Sequence, residues 1–214
     1  MRLLGHTGAT VRGQITLAGK DLNRSNEHEM RDIRGRLVSL VPQNPAAALN
    51  PALRLSAQLR EAWCAHSKAP WSGQEERIGS LLRSVGLPVD RKFLSRFPGE
   101  ISVGQAQRVL ILMALLHAPR LLIADEPTSA LDAITQREVI DLLDRVTREH
   151  QTSMLIISHD LMTASRICNR LAILYDGTIV ECRATGDILR HPRHPYTKAL
   201  VAASIPESFD PYER

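Results

Sequence analysis

Four consecutive apolar residues, Leu121-Leu122-Ile123-Ala124, run straight into Asp125-Glu126-Pro127. An apolar run of this length, stopped by charge and proline, predicts a central strand buried on both faces, as in sheets covered by helices on either side. Met154–Ile157 followed by Ser158-His159-Asp160 repeats the pattern as a second buried strand, and Leu37–Val41 ends the same way at Pro42. Helical spacing fills the intervals, with Val109, Leu112, Met113 and Leu116 on one face of 105–117, and Val139, Leu142, Leu143 and Val146 on one face of 133–150. Strands alternating with helices predict a largely parallel α/β sheet. Gln14–Ala18 alternates as a half-buried strand, Glu27–Arg36 has helical character, and Leu171–Tyr175, Asp176-Gly177 and Thr178–Cys182 read as a hairpin. Residues 44–55, rich in Ala, Pro and Asn, read as a loop, and 56–96 as helices broken at Pro70, Gly73 and Gly86-Leu87-Pro88.

Composition narrows the function classes. Hydrophobic residues make up 43% and charged residues 23%, a globular mixture. The longest apolar run, Val109–Leu116, is far short of the ~20 residues of a membrane span, and the first ten residues lack the apolar core of a secretory signal. Cytosol is the expected compartment. Cys64, Cys168 and Cys182 show no CxxC spacing, so reduced thiols are expected rather than a disulfide framework or zinc site. The net charge of +4 is spread along the chain and aromatics are only 4%, so nucleic acid is not an expected partner.

Chemistry concentrates where strands end, because ligands of open α/β sheets bind at the carboxyl edge. At that edge one of the paired carboxylates Asp125 and Glu126 can help hold magnesium while its neighbour polarises a water for attack on a phosphate. Taken alone, Asp-Glu can equally just terminate a strand. His159 stands beyond the second strand, where a neutral imidazole can donate to a phosphate oxygen, though a lone histidine there is more often a cap or core residue. Ser102 is a candidate N-cap, and Gly104 removes bulk from a helix start whose backbone N–H groups form an anion site; an ordinary capped helix is the competing reading. Gln43, directly after Pro42, is a neutral group able to ligate a metal or bridge to a neighbouring domain.

In this order the pieces resemble the nucleotide-binding subunits of ATP-binding cassette (ABC) transporters. The motifs are the Q-loop Val41-Pro42-Gln43-Asn44-Pro45, the signature Ile101-Ser102-Val103-Gly104-Gln105 with Gln107-Arg108, the Walker B strand with Asp125-Glu126, the D-loop Ser129-Ala130-Leu131-Asp132, and the switch His159. Gln43-Asn44-Pro45, Leu49-Asn50-Pro51 and the tail His194–Leu200 are similar to the dipeptide, oligopeptide and nickel importer branch.

The resemblance implies a P-loop NTPase-like, mostly parallel core, divided into 1–43 (start of the core), a helical subdomain 44–119, core 120–190, and a tail 191–214. It implies ATP and Mg2+ as cofactors. Asp125 supports the metal, with Gln43 sensing it; Glu126 acts on water and His159 contacts the γ-phosphate. Ser102, Gly104 and Gln105 face nucleotide held by a second cassette in a heterodimer, and Asp132 signals across that interface. The further partners are two permease subunits and, indirectly, a periplasmic or extracellular solute-binding protein, at the cytoplasmic face of the membrane.

Two departures stand out. No G-x-x-x-x-G-K-[ST] occurs: Gly19-Lys20 is followed by Asp21, and Gly5–Thr10 contains no lysine. Met1–Gly5 resembles the end of the helix after that loop, so the first strand and P-loop are expected to be missing, with poor stability and near-background ATP turnover. Val103 stands where the family signature has glycine, adding β-branched bulk. The tail reaches Arg214 without a cysteine-bearing extension, which points to a nickel or metallophore variant or to another truncation. Two further readings stay open: a non-catalytic remnant that offers its signature and D-loop to a partner, and a soluble cassette ATPase acting on nucleic acid or the ribosome.

Overall fold

The computed structural model describes residues 10–204 of the 214-residue chain. The expectations placed on Met1–Gly5 and on the end of the tail, together with most of Gly5–Thr10, lie outside the described residues. The chain packs as two compact units that divide between Leu155 and Ile156.

In the first unit a short hairpin, β1 (Thr16–Leu17) and β2 (Lys20–Asp21), turns at Gly19, whose φ of +80° suits glycine. Helix α1 (Glu27–Ile33) starts at a capping box: the Asn26 side chain accepts from Glu29 N–H, and the Glu29 carboxylate accepts from Asn26 N–H. Its buried Met30 and Ile33 pack with Leu22 and Val38. Strand β3 (Val38–Val41) then pairs in parallel with β4 (Leu121–Asp125), Val38 opposite Leu121 and Val41 opposite Ala124. The strand order of this sheet is β3-β4-β5, β5 being Ser153–Ile157.

Between β3 and β4 the chain is helical, with no strand among its described residues: α2 (Pro45–Ala48), α3 (Leu55–Cys64), α4 (Glu75–Ser84), α5 (Arg91–Leu94) and α6 (Val103–Leu115). Segment 44–55 is thus not all loop. Asn44 caps α2 by accepting from Ala46 and Ala47 N–H, and Pro45 fits the first helical position, where no N–H is needed. Helix α6 anchors the unit by burying Val109, Leu110, Ile111, Leu112 and Leu115. Each such side chain contributes about 1.5–3 kcal/mol of apolar burial.

Neither predicted central strand is buried on both faces. Along β4, Leu122 and Ala124 are fully buried, while Leu121 and Ile123 are half-covered by the cluster around Met30. In β5, Leu155 is 51% and Ile157 49% exposed. β5 is an outer strand of its sheet, and among the described residues nothing closes over these two side chains.

After α7 (Ala133–Glu149), the second unit contains α8 (Leu161–Ile167), the antiparallel hairpin β6 (Arg170–Tyr175) and β7 (Thr178–Ala184), α9 (Thr185–Arg190) and α10 (Pro195–Ser204). Leu161, Leu171, Ile173 and Ile188 form its core, with Tyr196, Leu200 and Val201 of α10 packed against them. No helix among the described residues is long and apolar enough to cross a membrane.

Candidate functional site

Ser102 begins α6 with a reciprocal capping box: its hydroxyl accepts from Gln105 N–H, while the Gln105 carboxamide oxygen accepts from Ser102 N–H. Because Ser102 is the cap, the helix starts at Val103, two residues before the apolar periodicity becomes visible. The next free N–H groups of the first turn point outward at the positive end of a thirteen-residue helix.

Asp132 caps α7 in the same way. One carboxylate oxygen accepts from Ile134 N–H (3.2 Å) and Thr135 N–H (3.0 Å), and the other accepts from the Thr135 hydroxyl (2.7 Å). Chiefly the Thr135 hydroxyl, aided by the backbone N–H groups, holds the Asp132 carboxyl below its ordinary pKa. It is therefore ionised at neutral pH.

These two helix starts share one cavity of about 500 Å³, whose lining includes Ser102, Val103, Gly104, Gln105, Asp132 and Thr135. Gly104 is the point of closest approach, since a Cβ placed there would lie 2.8 Å from Thr135 Cγ2. Arg108, Glu138 and Val103 complete the wall. Arg108 donates to the Glu138 carboxylate (2.8 Å) and to Val85 O (3.0 Å), tying α6 to α7 and to the end of α4. Its guanidinium lies where a Cβ at Gly86 would be, 2.7 Å from Nη1, so that glycine leaves the room the arginine uses. Val103 is half exposed at the first position of α6, putting a branched apolar side chain in the cavity wall.

Asp125 and Glu126 leave β4 at its carboxyl end. The parallel register, Val41 opposite Ala124, brings Pro42-Gln43 and Asp125-Glu126 out at the same sheet edge. Gln43 is exposed and pinned between the end of β3 and the Asn44 cap. Glu126 has φ of +47°, the left-handed region that a non-glycine residue enters at a cost of about 1–2 kcal/mol. The turn is tied by Ser129, whose N–H and hydroxyl both donate to Glu126 O, and by the Gln136 side chain, which donates to Thr128 O. Ala118, Gln151 and Asp176 share this left-handed conformation, so the backbone shape of Glu126 alone assigns it no role.

The first unit therefore gathers Ser102, Gly104, Gln105 and Asp132 around one cavity and sends Gln43, Asp125 and Glu126 off one sheet edge. His159 is exposed in the second unit, just before Asp160, which caps α8. Gly19-Lys20 belongs to the β1–β2 turn, and Lys20 lies 3.7 Å from Glu29, so this pair is no strand-to-helix phosphate loop.

The donor set suits a magnesium nucleotide. No group of three or more His, Cys, Asp or Glu among the described residues could hold a metal alone, and magnesium bound through one carboxylate plus phosphate oxygens needs none. Asp125 at the end of β4 could supply that carboxylate; separately, on the α6–α7 cavity, the N-terminus of α6 with bare Gly104 suits phosphate oxygens.

Comparison with known proteins decides the family: the ABC transporter family model matches residues 1–129. The chain belongs to the ABC transporter family. This cassette is 40% identical over 196 residues to the oligopeptide transport ATP-binding protein of Bacillus subtilis (strain 168), covering 92% of the chain and 55% of that protein. It is 39% identical to the dipeptide transport ATP-binding protein of the same organism, covering 91% and 58%. It is 40% identical to a probable D,D-dipeptide transport ATP-binding protein of Escherichia coli (strain K12), covering 94% and 62%. The chain thus spans little more than half the length of these relatives. Among solved structures, a dimeric ATP-binding cassette bound to ADP and Pi in a post-hydrolysis state superposes with a TM-score of 0.70 at 26% identity, covering 81% of this cassette and 74% of that one. The ATP-binding subunit of an ABC transporter superposes at 0.67 with 30% identity, covering 90% and 76%. The expected α/β cassette fold is the fold found.

Sequence reasoning named the residues at both helix starts and Arg108 within the signature, but missed Thr135, Glu138 and the bracing contacts of Arg108. It also missed Gln58, buried in α3, whose carboxamide donates to Asn50 O and Leu53 O and accepts from Asn50 N–H, fixing the Leu49-Asn50-Pro51 segment.

Proposed function

We propose that this cassette is the ATP-binding subunit of a peptide importer, and that its α6–α7 cavity faces nucleotide held by a second cassette. The observation that carries the reading is the shared cavity: two N-capped helix starts from segments thirty residues apart converge, with Gly104 bare between them. The N-terminus of α6, the positive end of its helix, suits a phosphate better than an apolar ligand, and the Asp132 charge is taken up in capping α7. The peptide class rests on the names of the relatives, all transport ATP-binding proteins.

Bound ATP with Mg2+ supplies the phosphoryl transfer that drives transport. For the chain's own residues, Asp125 holds the metal, with Gln43 beside it at the sheet edge. Glu126, set by its left-handed backbone, orients a water and accepts its proton. His159 donates to the terminal phosphate. Ser102, Gly104 and Gln105 close over the partner's nucleotide, and Asp132 carries its state across the interface. The helical segment 44–119 docks on two permease subunits between core segments 1–43 and 120–190, with 191–214 as tail. The cassette pair is a heterodimer, peripheral to the cytoplasmic face of the membrane and served indirectly by a solute-binding protein. A nickel or metallophore solute is the alternative within the same branch.

A second reading follows from the cavity being lined wholly by the signature and D-loop elements with their neighbours and not by Asp125 or Glu126: the cassette offers its cavity to a partner without hydrolysing ATP itself. Both are tested by mixing the chain with a partner cassette that carries G-x-x-x-x-G-K-[ST] and measuring ATP turnover. Loss of turnover with Glu126→Gln and also with Gly104→Asp supports the catalytic subunit. Loss with Gly104→Asp alone supports the non-catalytic one. Indifference to both substitutions overturns the assignment of the cavity.

A further inference from the structure

The capping of α7 and the bareness of α6 at Gly104 meet in one side chain. Thr135 donates its hydroxyl to Asp132 Oδ2 at 2.7 Å, and its methyl occupies the space a Cβ at Gly104 would enter. These are different jobs for different atoms: the oxygen fixes a charge and the carbon sets a distance. We infer that Thr135 is the positioning residue of the cavity, its hydroxyl orienting the Asp132 carboxylate and its methyl setting how closely the first turn of α7 approaches the first turn of α6. The functional meaning of this geometry rests on the nucleotide-facing role proposed above; the geometry itself does not.

Glycine at 104 is then demanded from inside the chain. The contact partner is a branched carbon on a capped helical residue, and the same residue is held by its own hydroxyl and backbone N–H bonds to Asp132. It cannot rotate aside without giving up its hydroxyl's hydrogen bond to Asp132. A methyl at 104 must therefore push the two helix starts apart, and removing the Thr135 methyl must make room for it. Were the glycine needed only for close approach of a ligand, no change at 135 could compensate. The cavity wall next to this contact is braced by Arg108 and Glu138, so the two starts cannot drift freely.

The hydroxyl has a separate signature. It is the leading cause of the lowered Asp132 pKa, ahead of the backbone hydrogen bonds. Thr135→Val keeps the shape and removes the donor, whereas Thr135→Ser keeps the donor and removes the methyl.

The test uses the full chain with Gly104→Ala, Thr135→Ser, their combination, and Thr135→Val, followed by thermal melting and by carbon-detected NMR titration of Asp132. Gly104→Ala is expected to lower Tm by on the order of 5 °C, the usual cost of overpacking a tight contact, and the combination to recover at least half of it. Thr135→Val is expected to move the Asp132 titration upward, while Thr135→Ser leaves it in place. A strictly additive double variant, or an Asp132 titration indifferent to Thr135→Val, overturns the inference. If Gly104→Ala does not fold and the combination does, that is rescue; if neither folds, the Thr135→Val titration decides. Should rescue and titration both hold while none of these variants changes ATP turnover in the mixed-cassette assay, Thr135 stands and the nucleotide-facing role of the cavity falls.

Discussion

Removing the Glu181 carboxylate is expected to unfasten the last helix without unfolding the whole chain. Glu181 is buried in β7, and its oxygens accept from Arg193 N–H (3.1 Å), His194 N–H (3.2 Å) and the Arg183 guanidinium (3.0 Å). Burial opposes its ionisation, but the N–H groups of His194 and Arg193 and then Arg183 outweigh it, so the carboxyl sits below its ordinary pKa. Those hydrogen bonds hold the segment leading into α10, the helix that covers Ile173 and Ile188 with Tyr196, Leu200 and Val201. Glu181→Ala leaves two backbone donors without their acceptor, at about 1–3 kcal/mol each. A net loss of about 2–4 kcal/mol in the second unit follows, with water recovering part of the rest. At 1.36 kcal/mol per decade, amide exchange in α10 should speed up by roughly 30- to 1,000-fold, whereas Glu181→Gln, which keeps one acceptor oxygen, should give roughly the square root of that. Lowering the pH should act in the same direction. Because the folded carboxyl has the depressed pKa, its stabilisation is complete above the ordinary value of 4.5 and is lost as pH falls through the folded one. Native-state hydrogen exchange read by mass spectrometry reports this directly. Exchange in α10 that changes less than about threefold on Glu181→Ala would show that the carboxylate does not hold the tail.

Two further outcomes are expected. His66 packs on Gly35 and edge-on to His117, whose ring stacks on Trp63. Burial first, then His117 and Arg36, lower the pKa of His66 against the opposing pull of Asp32. A histidine that binds its proton less tightly when folded leaves stability intact above the ordinary 6.5 and erodes it as pH falls from there toward the folded value. Tm should therefore drop between pH 7.5 and 5.5, and His66→Gln should flatten that slope; an unchanged slope would contradict the assignment. At β5, Leu155→Thr and Ile157→Thr place β-branched residues suited to a strand while removing about half-exposed apolar surface, so the double variant should show less self-association in light scattering at nearly unchanged Tm. A loss of more than about 1 kcal/mol would mean that these side chains are packed against something.

Much of the cassette could be read from the chain because its local signals are strong where they count. Ser102 with Gln105 three residues on is a capping-box pattern, and the box is present. Asn44-Pro45 carried an equally clear start signal for α2, but four residues rich in alanine were too short to assert against a loop. The strands were located but their burial was not. An apolar run tells that a segment can be covered on both faces, and only the neighbours decide whether it is, as half-exposed Leu155 and Ile157 show. Thr135, Glu138 and the contacts of Arg108 escaped for a related reason: their partners at Gly104, Gly86 and across α6–α7 are distant in sequence, and no short pattern joins them.

The twist at Glu126 also separates a working enzyme from a descendant that has given up hydrolysis. Asparagine or glycine would occupy that backbone shape with less or no penalty, so a cassette released from catalysis gains stability by drifting to either. Glu126→Gly should raise Tm by lifting this backbone penalty and, if Glu126 has the role proposed above, abolish turnover.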